Sequence, residues 1–170
     1  MNPEQAKVMA AYNKWMNEKV YDICARMPDE ELKRNRNAFF KSIHGTLNHI
    51  LLGDRVWFGR FKNAPFKPRG FDQILHETFG DLRKERQELD ARICEWASEL
   101  TSEQLAAKFH FTSMASPLPR SCPLWAAVTH FFNHQTHHRG QVTTLLSQCN
   151  LDVGVTDLTG LPGLVSIDAA

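Results

Sequence analysis

The amino-acid sequence predicts an all-α protein, an antiparallel four-helix bundle with a short irregular or two-strand connector before the last long helix. Four long segments carry apolar residues at the i, i+3, i+4 spacing of helices that bury one face. Convincing strand patterns are scarce, and turns that contain proline or glycine separate the helical segments. Because 170 residues suit one domain, we expect residues 1–170 to form a single bundle.

The first three helices are placed by their start and stop signals. We expect the first over residues 3–27, because proline suits a first helical turn and MPDEEL closes the segment with a turn. The second is expected over residues 42–62, where NAPFKPRG ends it with two prolines and a glycine. The third is expected over residues 71–100, with the mixed-charge stretch DLRKERQELDAR on its solvent face.

The pattern changes between the third and fourth helices. TSEQL predicts a short capped turn, KFHFTSM alternates and predicts a brief strand, and ASPLPRSCP predicts a loop. The fourth helix is expected to start near Ser121, an N-cap candidate with Pro123 just inside the helix, and to run to about Cys149. Residues 151–170 are rich in glycine and are expected to pack as an irregular tail.

Composition argues against several classes of partner. The formal net charge is +1 and the pI is near 7.8, with no basic stripe, so we expect no nucleic-acid partner. No apolar run approaches the roughly 20 residues of a membrane span, so we expect no membrane partner, and the first residues lack the layout of a signal peptide. The four cysteines form no CxxC pair and are expected as free thiols in a cytoplasmic protein.

Histidines in the fourth helix are the strongest candidates for chemistry. The stretch HFFNHQTHHRGQ holds four of the eight histidines of the chain. At about 100° per residue, His134 and His138 fall at the edge of the apolar stripe, whereas His130 and His137 lie further towards solvent. Two imidazoles one turn apart can close on a single divalent ion. The residues between them, QTH, lack the glutamate of an HExxH peptidase, so the sequence does not support that mechanism.

A third metal ligand is expected from the second helix. His49 lies in the broad apolar arc of this helix, whereas His44 falls in its polar wedge and is expected at the surface. We therefore expect His49 to face the pair formed by His134 and His138. Three protein ligands leave positions open for water or substrate, as in catalytic rather than structural metal sites. Periodicity alone supports a second interpretation equally well, in which these histidines are hydrogen-bonded in the core and bind no metal.

Several neighbouring residues have two interpretations each. Asp54 either accepts a hydrogen bond from a metal-binding histidine or, as the favoured interpretation, forms a salt bridge with an arginine such as Arg139. Gln141, one turn beyond His138, either lines the site or is a plain amide on the flank of the stripe. Four aromatic residues are expected mainly in the core, with one a candidate for lining a cavity: Tyr12, Trp15, Trp57 and Trp125. Two histidines are expected in solvent or in loops, His76 and His110.

Three stretches of the chain together resemble the DinB family, a group of damage-inducible bacterial metalloproteins. They are AYNKWMNEKV, AFFKSIHGTLNHILLGDRVWFGRF and THFFNHQTHHRGQV, in the family's order, and the resemblance covers residues 11–158. It implies an up-down-down-up bundle, commonly a homodimer, with a divalent ion held by one histidine of the second helix and an HxxxH pair of the last. In this chain those positions are His49, His134 and His138. Imidazole ligands suit both nickel and zinc, the metals associated with the family.

The resemblance also implies a class of reaction. Relatives in the wider superfamily are S-transferases and isomerases that use bacillithiol, mycothiol or glutathione. We therefore expect an S-transferase that depends on a low-molecular-weight thiol, in which the metal lowers the pKa of the thiol and a pocket holds a small electrophilic substrate. Two alternatives stay open, a metal-binding stress-response protein without turnover and a metal-dependent hydrolase. The sequence singles out no residue as general acid or general base.

Overall fold

The computed structural model describes residues 1–113 and 116–166, which form six helices and one two-stranded sheet. The helices are α1 (Pro3–Cys24), α2 (Asp29–Lys33), α3 (Ile43–Phe61), α4 (Phe79–Glu99), α5 (Ser102–Ala106) and α6 (Leu124–Ser147). Strands β1 (Lys108–Ser113) and β2 (Ser116–Pro123) separate α5 from α6, and a 3-10 turn (Leu158–Gly160) lies in the C-terminal tail. The predicted helical bundle with a connector before its last helix is confirmed. The predicted strand, loop and tail also extend over residues 114, 115 and 167–170, which lie outside the described residues.

A side-chain cap sets the start of α4. The Thr78 hydroxyl accepts a hydrogen bond from the Asp81 N–H at 3.1 Å, which satisfies a backbone donor of the first helical turn. The helix therefore begins at Phe79, and the expected start near residue 71 is wrong. Residues 62–78 form a long connection between α3 and α4 instead. The expected second helix, in contrast, matches α3 within one residue at each end.

The connector is a hairpin, so the loop expected for its second half is a wrong prediction. Strands β1 and β2 pair antiparallel, with Phe109 opposite Cys122 and His110 opposite Ser121. Because Ser121 belongs to β2, it does not cap the last helix, and α6 begins at Leu124 with no side-chain cap. At the other end of the bundle, α1 stops at Cys24, three residues before its expected end.

Helices α3 and α4 run in the same direction. Asp54 in the middle of α3 contacts Arg86 of α4, and Phe61 at the end of α3 stacks on Trp96 near the end of α4. Two parallel neighbours need a connection that returns along the bundle, which residues 62–78 provide. The antiparallel order expected from periodicity is therefore wrong for this pair.

Two pairs of neighbouring long helices, α1 with α4 and α3 with α6, are antiparallel. In each pair, the contacts move towards the start of one helix as they move towards the end of the other. The contacting pairs are Asn17 with Asp90 and Asp22 with Arg83 between α1 and α4, and His49 with His138 and Trp57 with His130 between α3 and α6. The bundle is therefore up-down-down-up, the order that the family resemblance implies.

The four long helices bury their apolar faces in one core cluster that includes Leu51 and Phe131. Tyr12 is buried as expected, whereas Trp125 is 43% exposed and lies outside the core. All four cysteines are free, and Cys24 is the one that is fully buried. In the described part of the chain, no helix combines the length and the apolar character needed to cross a membrane.

A buried polar layer crosses the middle of the bundle. Arg86 lies 2.5 Å from the Asp54 carboxylate and 2.8 Å from the Asp90 carboxylate, and Gln135 Nε2 donates to Asp54 Oδ1 at 2.8 Å. The salt bridge expected for Asp54 therefore forms with Arg86 and not with Arg139, which donates to an asparagine of α1 instead. Among the described residues, no hydrogen bond joins Asp54 to a histidine. The layer connects α3, α4 and α6, and these contacts do not include the histidine cluster directly.

Candidate metal centre

The antiparallel packing of α3 against α6 brings together the three histidines that the sequence singled out. His49 lies on α3, and His134 and His138 lie one turn apart on α6. Each offers one ring nitrogen, and these three atoms lie within 4.8 Å of one another. His49 and His138 are buried and His134 is half-buried, so the cluster sits at the edge of the core, where solvent can still reach it.

Hydrogen bonds determine which ring nitrogen of two histidines faces the centre. His49 Nδ1 lies 2.8 Å from the Phe71 carbonyl oxygen, and His138 Nδ1 lies 2.8 Å from Gln141 Oε1. Both oxygens can only accept, so each Nδ1 carries the proton and donates it. The two Nε2 atoms lie 3.2 Å apart and present lone pairs to each other, with no proton between them. Gln141 therefore lines the site.

The facing lone pairs fit a cation. Two acceptors this close repel each other, and a positive ion between them replaces the repulsion with coordination. Two imidazole nitrogens that bind one tetrahedral ion at about 2.1 Å lie about 3.4 Å apart, close to the 3.2 Å between the Nε2 atoms. Metal-binding histidines also commonly donate their other ring N–H to a carbonyl or amide oxygen, as His49 and His138 do. The residues present therefore fit a divalent metal.

Burial keeps the three imidazoles neutral. Desolvation lowers the pKa of His49 to about 4, and it lowers the pKa of His134 to about 3 with a further contribution from the neighbouring His138. Desolvation also lowers the pKa of His138, although its hydrogen bond with Gln141 acts in the opposite direction. At neutral pH the rings therefore offer lone pairs, and no proton has to leave before a metal binds.

A glycine of α3 makes room for His134. A Cβ atom at Gly53 would lie 2.6 Å from His134 Cε1 and 3.2 Å from its Nδ1. No larger residue fits there while the ring stays in place, although glycine costs a helix interior about 1 kcal/mol relative to alanine. The signal in the sequence is the isolated glycine of LLGDRVW, inside an otherwise regular helical pattern.

Phe40 covers one side of the centre. Its ring stacks on His49 with the centroids 3.7 Å apart and meets His138 edge-on at 5.6 Å. The chain at Phe40 passes so close to the first turn of α3 that a Cβ atom at Gly45 would lie 2.2 Å from the Phe40 carbonyl oxygen. Helical periodicity misses Phe40, because this residue precedes the helix.

Asn48 positions the loop that orients His49. Its Oδ1 accepts hydrogen bonds from the backbone N–H groups of Leu75 at 2.8 Å and His76 at 3.0 Å. The same loop carries Phe71, whose carbonyl accepts from His49 Nδ1. Asn48 is fully buried because the connection between α3 and α4 folds over it. The sequence shows that Asn48 lies on the polar face of its helix, but it does not show that the side-chain amide binds the backbone of this loop.

The remaining histidines lie outside the cluster. His44 was expected at the surface, but it is only 3% exposed, because α2 and the loop around His76 cover the first turns of α3. Its ring lies 3.4 Å from the Asn48 amide nitrogen. His76 is half-buried in that loop and contacts Glu85. Three histidines are exposed, in line with their expected positions: His110, His130 and His137.

A cavity of about 210 Å³ adjoins the centre. His49 and His134 form part of its wall, together with the aromatic rings of Trp57, Phe71 and Phe111. Of the four aromatic residues expected mainly in the core, Trp57 is the one that lines this cavity. Three histidines beside a cavity leave the nitrogen cluster accessible to a small molecule, as catalytic metal sites require.

Known proteins share this sequence pattern. The chain matches the family described as DinB family over residues 1–162. It is also 25% identical over 150 residues to Protein DinB of Bacillus subtilis (strain 168), an alignment that covers 86% of this chain and 87% of that relative. The family match spans the four long helices, the hairpin and all three clustered histidines, so the chain belongs to the DinB family.

Proposed function

We propose that the chain is a metal-dependent enzyme, a low-molecular-weight-thiol-dependent S-transferase whose divalent ion is held by His49, His134 and His138. The observation that carries the proposal is the pair of Nε2 lone pairs, 3.2 Å apart, beside an accessible cavity. Structural zinc sites use four protein ligands, whereas three leave room for a small molecule. Membership of the DinB family supports metal binding, and imidazole ligands are compatible with nickel or zinc.

The residues around the centre orient its ligands and limit access to it. The Phe71 carbonyl and Gln141 hold the rings of His49 and His138, and Phe40 excludes water from one side. A bound divalent ion would lower the pKa of a coordinated thiol and so raise its thiolate fraction at neutral pH. In the transfer, the thiolate sulfur bonds to the electrophilic carbon of the substrate. The leaving group departs with its bonding electrons, and the thiol proton goes to solvent.

We also propose a cytoplasmic homodimer, the assembly that the family resemblance supports. Size-exclusion chromatography with light scattering tests the dimer. A single species at twice the chain mass of 19.5 kDa is expected. A monomer at micromolar concentration would contradict this part of the proposal and leave the metal centre unaffected.

Metal analysis of the purified protein tests the proposed ligands. We expect about one divalent ion per chain in the wild type, and its loss or severe weakening in His49→Ala, His134→Ala and His138→Ala. The matched control is His137→Ala, because His137 is exposed on the same helix and should leave the metal in place. Equal loss in the control contradicts the assignment, and a wild type that binds no divalent metal refutes it.

Thiol consumption tests the reaction class. The wild type, loaded with zinc or nickel, is mixed with glutathione, bacillithiol or mycothiol and a panel of small electrophiles. We expect thiol loss that depends on the electrophile, stops on chelation and is absent in His134→Ala. Turnover without added thiol would favour a metal-dependent hydrolase. Stoichiometric metal without activity in the whole screen would leave a metal-binding stress-response protein.

A further inference from the structure

Among the described residues, the cavity beside the candidate metal centre is lined by one arginine or lysine side chain, Arg60. The lining residues in the described part of the chain are otherwise aromatic, aliphatic or glycine, apart from three histidines. No acidic side chain of residues 1–113 or 116–166 lines this cavity. A half-buried guanidinium in such surroundings is a specific feature, because an unpaired charge is costly to remove from water.

Arg60 is held in place without being neutralised. One of its terminal nitrogens donates to the Thr112 carbonyl oxygen at 2.6 Å, and its guanidinium lies over the Trp57 ring, 4.6 Å from the centroid. No carboxylate of the described residues lies within ion-pair distance of it. A guanidinium has five N–H donors, so donors remain for a ligand with the planar geometry of a carboxylate.

The size and walls of the cavity limit what can accompany that carboxylate. A dry cavity of about 150 Å³ holds one benzene molecule, and this cavity measures about 210 Å³. The rings of Trp57, Phe71 and Phe111 provide flat apolar walls. A single aromatic ring, or an unsaturated chain of similar size, with one small substituent fits these dimensions.

We propose that this cavity binds a small aromatic or unsaturated carboxylate, with its carboxylate on Arg60 and its flat body between the aromatic walls. The opposite end of such a ligand then points to the side of the cavity formed by His49 and His134. As an assignment of the substrate class, the proposal rests on the proposed function. As an assignment of a binding site, it does not depend on metal or turnover.

Benzoate and its neutral isostere benzamide are the probes. NMR titrations follow the indole N–H signal of Trp57, assigned with Trp57→Phe, in chelator-treated protein so that a metal cannot contribute. The variant is Arg60→Gln. The matched control is Arg55→Gln, because Arg55 lies on the same helix but pairs with Glu85 at 3.3 Å outside this cavity. Circular dichroism verifies that both variants are folded.

We expect benzoate to bind wild type at least about tenfold more tightly than benzamide, as a charge-assisted hydrogen-bonded pair should. This preference should persist in Arg55→Gln and disappear in Arg60→Gln. Equal binding of the two probes, no benzoate binding, or unchanged benzoate binding by Arg60→Gln overturns the proposal. Benzoate binding that requires added metal overturns the role of Arg60 while it supports the metal centre, so the two proposals fail separately.

Discussion

Replacing Gly53 with alanine tests whether the close packing of α3 against His134 controls metal binding. The added Cβ would lie 2.6 Å from His134 Cε1. Carbon atoms in ordinary contact are about 3.5 Å apart, so the ring has to retreat by about 0.9 Å. Metal–ligand distances in proteins tolerate only about 0.2 Å. Gly53→Ala should therefore move His134 out of its place in the centre, although Gly53 itself binds nothing.

The expected loss is about 10- to 100-fold in metal affinity, the range found when a supporting residue of a metal site is removed. This corresponds to about 1.4 to 2.7 kcal/mol. Folding should survive, because the half-buried His134 ring can turn towards the cavity and alanine favours the helix by about 1 kcal/mol over glycine. Isothermal titration with zinc or nickel measures the affinity, and thermal unfolding of the metal-free protein measures the stability.

Gly140→Ala is the matched control. A Cβ atom at Gly140, on α6, meets no atom of the described residues within 4 Å, so this change has the same chemistry without the clash. We expect wild-type metal affinity and equal or higher thermal stability. Wild-type affinity in Gly53→Ala, or an equal loss in Gly140→Ala, would refute the reasoning.

Three further predictions concern the surroundings of the centre and the bundle interior. Gln141→Ala should weaken metal binding at least about tenfold in calorimetric titration, because His138 Nδ1 loses its acceptor; unchanged affinity would contradict this. Arg86→Met should cost about 3–5 kcal/mol in urea unfolding at neutral pH, because it leaves two buried carboxylates unpaired. Burial raises the pKa of Asp54 to about 6, so this carboxyl favours the folded state when protonated and loses that contribution as pH rises through about 6. Without Arg86 the pKa rises further, so the deficit of the variant should shrink between about pH 7 and about pH 5, and a constant deficit would argue against the pairing. Burial raises the pKa of the Cys24 thiol to about 12, so mass spectrometry after alkylation at about pH 8 should find Cys24 unmodified in folded protein and modified in urea.

Helical periodicity could predict both helices of the candidate centre. A helix that packs on a core fixes the direction of each side chain, and the apolar neighbours of His49 reveal that direction. The same reasoning failed for His44, which lies on the polar side of α3 and is nevertheless buried. Periodicity reports the face turned to the core of the bundle, but it does not report a loop or short helix that covers the opposite face.

The long connection and the hairpin were the least predictable parts of the chain. The start of α4 is set by the local Thr78 cap, whereas the loop before it is held by backbone hydrogen bonds to Asn48, which lies 27 and 28 residues away in sequence. Strand β2 contains three prolines and reads as a loop, yet pairing with β1 holds it extended. In both cases hydrogen bonds that helical periodicity does not reveal determine the local structure.

The sequence by itself determined the helical class of this protein, the family to which it belongs and the three histidines that come together, because each depends on residue types at fixed spacings. Only the tertiary structure decided which ring nitrogens face one another, since the Phe71 carbonyl and Gln141 hold the two Nδ1–H groups. It also shows that Gly53 of α3 leaves room for the His134 ring, and that Arg60 lines the cavity beside the centre. Those features depend on distances between separate elements, which a pattern along one chain does not contain.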